Sequence, residues 1–326
     1  MADGRANLRA AVVERPLVAS PVGLALQASI DALSQETARL RLASLAHAGE
    51  ALEIGGRWGH SRPAGWVTLA QPRALGLPGT VTAAALWDVQ TYATGRAPTV
   101  REVRRSGSLS AAEWWTADFK AVMKVGIDRF ARGAHVSLGT EMERRIASDR
   151  LALAGSATLW GPLADDRWFG AGAMKLAGRT SARPRRWVVE AVLGGYAASA
   201  QAPRALWPGA GTGDGRPLLL RAHPLLRDGI LVGDAFGRRL AHGTIEAAAP
   251  LVRIGALAVG AAAFLDGARA WARPGPDGAG STLLDAGVGL RVGLPAAGTV
   301  RLDVATALRD GRGTSVSGSW VSPWPH

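Results

Sequence analysis

Between Leu284 and Leu294 the side chains alternate without a break. Leu284, Ala286, Val288, Leu290, Val292 and Leu294 fall on one parity, and Asp285, Gly287, Gly289, Arg291 and Gly293 on the other. After Pro295-Ala296-Ala297-Gly298 the pattern resumes, with Val300, Leu302, Val304 and Leu308 opposed by Arg301, Asp303, Ala305 and Arg309. A period of two puts alternate residues on opposite faces of a strand. One face is therefore apolar, and the other carries charges and glycines. A soluble sandwich alternates as well, with its apolar face turned to an internal core. A membrane barrel turns the apolar face to lipid and the polar face to its lumen. Persistence of the pattern, segment length and the placement of tryptophans separate the two.

The pattern persists. Strand-like segments fall near 22–30, 37–47, 50–60, 64–71, 80–93, 100–113, 116–131, 134–145, 150–160, 168–180 and 185–199. In 116–131, Phe119, Ala121, Met123, Val125 and Ile127 oppose Asp118, Lys120, Lys124 and Asp128. From Gln201 to Arg238 the rhythm stops, and proline, glycine and mixed apolar residues show no clean period. An insertion this long without structure of its own is usually functional or a lid. Five more segments follow, near 239–252, 255–271, 282–294, 299–310 and 313–320. The fold expected is an all-β, closed antiparallel transmembrane barrel of about 16 strands, eleven before the long loop and five after it. Residues 1–20 form a lead-in and 21–326 the barrel domain, with 201–238 as a loop folded into the lumen and 239–320 as the last five strands. About 16 strands of roughly 10 residues use half of the 326 residues, leaving turns and a few long loops.

Hydrophobic residues make up 48% of the chain, yet no run approaches the ~18 apolar residues of a spanning helix. Any membrane crossing is made by strands. Of twelve tryptophans, Trp58, Trp66, Trp114, Trp115, Trp160, Trp168, Trp187, Trp271 and Trp320 lie at or near strand ends. Amphipathic rings gather there when strand ends sit at the headgroup levels; packing under hairpin loops is the alternative. Val288, Leu290 and Val304 are expected to face lipid, and the inward Gly289 to accept a small polar residue cheaply.

Net charge is +12, and only Lys120, Lys124 and Lys175 among the 38 basic residues are lysine. The arginines are scattered, with no basic block carrying interleaved aromatics, which argues against nucleic acid. A lumen that attracts anions, or loops that meet acidic lipid headgroups, fits better. There is no cysteine, so disulfides and thiolate metal sites are excluded. The opening Met1–Arg5 lacks the apolar core of a secretory signal. The membrane reading therefore expects a leader already removed or a longer parent chain.

No catalytic, cofactor or metal constellation emerges. Gly211-Thr212-Gly213-Asp214-Gly215 lacks the Lys-Ser/Thr of a phosphate loop and reads as a flexible turn. Glu141 and Glu143 share a face but adjoin Arg144 and Arg145, as a charged wall would. The six histidines have no metal-ligand spacing, and no Gly-x-Ser-x-Gly elbow is present. No hydrolytic or redox turnover is expected.

The long loop carries Leu220-Arg221-Ala222-His223, and the second strand after it carries Phe264-Leu265-Asp266-Gly267-Ala268. By alternation Phe264 and Asp266 share the face of Gly260, opposite Leu257, Val259 and Leu265. These two motifs resemble those of the bacterial surface antigen superfamily, a Leu/Val-Arg-Gly-aromatic loop motif and a Phe-x-Asp-x-Gly strand motif. The Glu246 strand, Gly287–Arg291 and Leu302–Ala305 are also similar to that family's ending. Ala222 stands for the motif glycine, His223 for the aromatic and Ala268 for the last glycine. The resemblance covers about 110 residues well. It implies a 16-stranded outer-membrane barrel that assists polypeptide insertion or secretion, with outer-membrane lipids, an unfolded polypeptide client and an upstream POTRA or periplasmic partner. It implies no cofactor. A passive pore or structural barrel is the alternative, and a soluble β-protein a third. Within the resemblance, Arg221 is expected to pair with Asp266 through its planar fork, with Glu246 as a second candidate.

Overall fold

The computed structural model describes residues 28–29, 32, 36–44, 49–94, 97–147, 150–164, 167–181, 187–212, 219–232, 235–273, 280, 282–294, 298–309 and 313–321. Within them lies one seventeen-stranded sheet. Ten long strands come first: β1 (Thr37–Ala43), β2 (Ala51–Arg57), β3 (Ala64–Pro72), β4 (Thr80–Thr94), β5 (Ala97–Trp114), β6 (Phe119–Phe130), β7 (Gly133–Ile146), β8 (Leu151–Pro162), β9 (Phe169–Arg179) and β10 (Val188–Ala198). Two two-residue strands follow, β11 (Leu226–Arg227) and β12 (Ile230–Leu231). The last five are β13 (Arg239–Ile254), β14 (Leu257–Trp271), β15 (Thr282–Leu294), β16 (Gly298–Arg309) and β17 (Thr314–Val321). Each long strand pairs antiparallel with the next, and β10 pairs directly with β13. No pairing of β17 with β1 is present among the described residues. No helix among them is long and apolar enough to cross a membrane.

The period-two pattern becomes two unlike faces. Across β5 to β8, Leu109, Val125, Leu138 and Leu159 stand opposite one another and are 50–58% exposed. Val288, Val304 and Val316 continue the same face across β15 to β17. An exposed apolar band running from strand to strand is far larger than the patches of ordinary soluble surfaces. On the other face of β14, Gly260, Ala262, Phe264, Asp266, Ala268 and Ala270 are all buried, each between more exposed neighbours.

What buries that polar face is the segment between β10 and β13. Its Ala210, Leu220 and Ala235 pack on Leu240, Ala268, Ala270 and Leu283. Ala202 and the half-buried Trp207 pack on Phe130, Trp160 and Phe169 of β6, β8 and β9. Leu225, Leu231 and Phe236 enclose Tyr92 of β4. The segment's short hairpin then pairs parallel with β4, Ile230 opposite Thr91 and Leu231 opposite Tyr92. One connection thus touches strands from both halves of the sheet.

Some expectations fall outside the described residues, and others change. Most of the strand expected at 22–30 lies outside the described residues, as do the lead-in 1–20 and the Trp320 ring; Ala28, Ser29 and Ala32 are helical. Among the described residues ten long strands precede the segment, and the expected eleventh, at 22–30, falls mostly outside them. The segment itself is not structureless, because Asp228 and Gly229 both adopt positive φ and close the β11–β12 hairpin. Asp-Gly is a strong signal for that turn, since both central residues need positive φ. Of the expected turn Gly211–Gly215, residues 213–215 lie outside the described residues, and Gly211 is held in place: φ is +147°, and a Cβ there would lie 2.7 Å from the His223 carbonyl. The next residue, Thr212, bridges Pro224.

The tryptophans divide. Trp58, Trp168 and Trp271 sit exposed at the end of the sheet where the segment attaches, and Trp115 and Trp187 at the opposite end, while Trp114, opposite Lys120, lies under Arg145 on the polar face. Trp66 and Trp160 also turn to the polar face. Trp66 donates to Glu53, and the buried Trp160 donates to Asp128 and stacks on Phe169. Nearness to a strand end does not fix which face a ring takes.

Candidate functional site

Strand register brings the charges together. On the polar face Thr244, Asp266, Asp285 and Ala307 form one cross-strand row, and Glu246, Phe264, Gly287 and Ala305 the next. Ala262, Gly289 and Asp303 follow, then Gly260, Arg291 and Arg301. Four carboxylates and two arginines from four strands therefore line a small area. Glycine at 287 and 289 leaves the room. A Cβ on Gly287 would meet Val304 O at 2.2 Å and Phe264 Cζ at 2.4 Å; one on Gly289 would meet Asp303 Oδ1 at 2.0 Å. The expectation that Gly289 tolerates a small polar side chain is thus corrected, because that space already holds the Arg291–Asp303 pair.

Arg221 descends from the segment into this area. Its Nη2 donates to Glu246 Oε2 at 2.9 Å, and Nη1 lies 3.4 Å from Asp303 Oδ2. Nε is 3.2 Å from Asp266 Oδ2, an ion-pair contact without the alignment of a hydrogen bond. The guanidinium carbon sits 3.6 Å from the centroid of the Phe264 ring, a cation–π contact that strengthens when water is excluded. The expected two-bond fork onto Asp266 is therefore shared among three carboxylates on β13, β14 and β16. Asp266 takes its firm hydrogen bond from the Thr244 hydroxyl.

Glu246 is the most heavily engaged acid. Besides Arg221 it receives Arg291 Nη2 at 2.8 Å and Arg301 Nη2 at 2.7 Å. Arg291 also reaches Asp303 Oδ1 at 2.5 Å. Three arginines and three carboxylates balance in charge, as buried ions require.

Beside this knot, Asp285 is fully buried and holds the segment by two bonds. The Ala222 backbone N–H donates to Oδ2 at 2.5 Å, and His223 Nδ1 lies 2.5 Å from Oδ1. Both departures from the family's loop motif acquire a local reason. Ala222 is absent from the positive-φ residues, so no glycine is demanded, and its methyl packs on Phe264 and Ala305. His223 supplies a ring nitrogen to Asp285 where a phenyl ring would supply none. Leu220 is fully buried against Leu240, Ala268 and Leu283, and Ala268 fits there without a glycine.

The structure thus brings Leu220, Arg221, Ala222 and His223 against Phe264, Asp266 and Glu246. Asp285, Asp303, Arg291 and Arg301 were not singled out from sequence. The alternation had already put them on the polar face. The missing information was the cross-strand register, which is unbroken from Asp285 to Leu294.

A long antiparallel meander, interrupted before its last five strands by a segment bound to those same strands, defines the class of fold. Solved structures share it. The chain is similar to BamA from Haemophilus ducreyi lacking POTRA domains 1–3, with a TM-score of 0.62 and 12% identity over 86% of this chain and 65% of that one. It is similar to CdiB from Escherichia coli, with a TM-score of 0.60 and 12% identity over 86% and 58% of the two chains. CdiB from Acinetobacter baumannii matches with a TM-score of 0.53 and 11% identity, over 86% and 55%. The shared all-β fold agrees with the fold that the motif resemblance implies. At these identities the likeness is one of fold, and the chain spans just under two thirds of the BamA chain. No family model and no sequence relative matches.

Proposed function

We propose that the sheet closes into a transmembrane barrel in a bacterial outer membrane, with residues 201–238 seated in its lumen. On this reading the barrel assists insertion or secretion of polypeptides. The observation that carries it is Arg221: a single guanidinium from the segment contacts carboxylates on β13, β14 and β16 while lying on the Phe264 ring. A surface loop has no use for so dry a seat. The apolar face, the two levels of exposed tryptophans and the fold shared with BamA and CdiB support the membrane placement. The hairpin's pairing with β4 supports closure, since one segment reaches strands that lie far apart along the ladder. Closure also calls for one further strand. With the fifteen long antiparallel strands of the described residues, β1 and β17 run in the same direction and cannot pair antiparallel.

The barrel acts without covalent chemistry on this account. It needs no cofactor or metal; its partners are lipid, a polypeptide client and an upstream POTRA or periplasmic module. The test is secretion or insertion of a client by cells carrying the wild-type chain or Arg221→Ala. Loss of client handling with the barrel still in the membrane supports the role. Unchanged handling favours a passive or structural barrel.

A further inference from the structure

The two halves of the polar face are built differently. Over β13 to β16 it is filled by arginine–carboxylate pairs and the segment. Over β6 to β10 it is lined by small residues, among them Ala154, Ser156, Thr158, Ala171 and Ala173. Two cavities lie there. One of about 300 Å³ runs between this wall and Leu206–Gly209 of the segment. The other, of about 270 Å³, continues towards Lys120, Glu143 and Lys175. They share Ser156, Ala173 and Tyr196 in their walls, so they join end to end beside the seated segment.

All three lysines of the chain lie on this polar face, and Lys120 and Lys175 line the second cavity. Lys120 and Lys124 on β6 and Lys175 on β9 share the polar-face parity of Asp128 and Trp160. Lys124 and Lys175 are exposed there, and among the described residues none of the three forms an ion pair; Lys120 only approaches the Trp114 ring at 6.0 Å. Glu143 pairs with Arg145 at 2.8 Å, and this wall also carries Glu141 and Glu190, the latter opposite Arg179 in the ladder, against three lysines. Ammonium groups are strongly hydrated point charges, whereas guanidinium forks suit dry pairs. The dry pairs over β13 to β16 use arginine, and the open wall of β6 and β9 carries the lysines.

We propose that the space between the seated segment and β6 to β10 is a water-filled conduit past the plug, selective for small anions through Lys120, Lys124 and Lys175. Rings of fixed positive side chains raise the local concentration of anions in a narrow path. The inference rests on the barrel reading.

The test uses the full chain in a planar bilayer under a KCl gradient. Wild-type current should reverse on the chloride side of zero. The triple change Lys120→Glu/Lys124→Glu/Lys175→Glu should move the reversal to the potassium side. Arg101→Glu/Arg105→Glu, on the other face of β5, should leave it in place. Because the chain has no cysteine, a second readout does not need current. A single cysteine at Ala173 should react with a small charged methanethiosulfonate, and one at the buried Ala262 should not. An unmoved reversal potential in the triple variant, or equal labelling at 173 and 262, overturns the conduit. A wild-type barrel that handles client but passes no current overturns the conduit alone. A protein that never enters membranes overturns the barrel reading with it.

Discussion

Replacing Arg221 by alanine is the perturbation whose consequences the structure ranks most sharply. Three carboxylates lose a contact, but not equally. Glu246 keeps Arg291 at 2.8 Å and Arg301 at 2.7 Å, and Asp303 keeps Arg291 at 2.5 Å. Asp266, 2% exposed, keeps only the Thr244 hydroxyl. Removing one partner of a buried ion pair costs about 3 to 5 kcal/mol, because the other charge is left uncompensated. Most of that cost should fall on Asp266. In double-mutant cycles the Arg221–Asp266 coupling should therefore be about 2 kcal/mol, within the range of directly interacting residues. Couplings of Arg221 with Glu246 and with Asp303 should be smaller, below about 1 kcal/mol, because each of those acids keeps another arginine. Each cycle is read from urea titrations of folding into lipid vesicles, with tryptic cutting at Arg227 as a separate report on the seating of the segment. If Arg221 and Asp266 are additive within about 0.5 kcal/mol, or if Glu246 couples more strongly, the reasoning fails.

Three further changes probe separate parts of the account. Leu290→Arg, at mid-strand on the apolar face, should cost about 2 to 4 kcal/mol in the same titration, and a negligible cost would deny that face to lipid. Gly289→Ser should also destabilise, by about 1 to 3 kcal/mol for overpacking, because its Cβ would fall 2.0 Å from Asp303 Oδ1; a neutral result would mean that the Arg291–Asp303 pair gives way freely. His223→Phe removes one of the two bonds that Asp285 makes to the segment. It should cost about 1 to 3 kcal/mol and speed cleavage at Arg227, whereas unchanged cleavage would make Asp285 irrelevant to seating.

The strands were legible because period two survives along most of the chain, and because a shift of one residue would turn every apolar side chain to the wrong face. The seat of Arg221 was partly legible. Alternation put Phe264, Asp266 and Glu246 on one face, but it does not tell which residue of one strand stands opposite which of the next. Asp285 and Asp303 therefore stayed hidden until register was known, and Gly289 read as spare room when it is occupied by a neighbour's ion pair. The segment 201–238 has no period, so its order could be read only from local turn chemistry. Asp228-Gly229 was that clue. Trp66 and Trp160 show the limit of position along a strand as a guide, since each found a carboxylate partner on the polar face.

The central claim is that the segment after β10 plugs a membrane-spanning barrel. It is tested most directly by single-channel conductance of the intact chain beside a variant in which residues 201–236 are replaced by a short glycine–serine linker. The account predicts a small current from the intact protein, and a current several-fold larger, with frequent full openings, from the variant. Equal conductance from two proteins shown to be inserted in the membrane would contradict it.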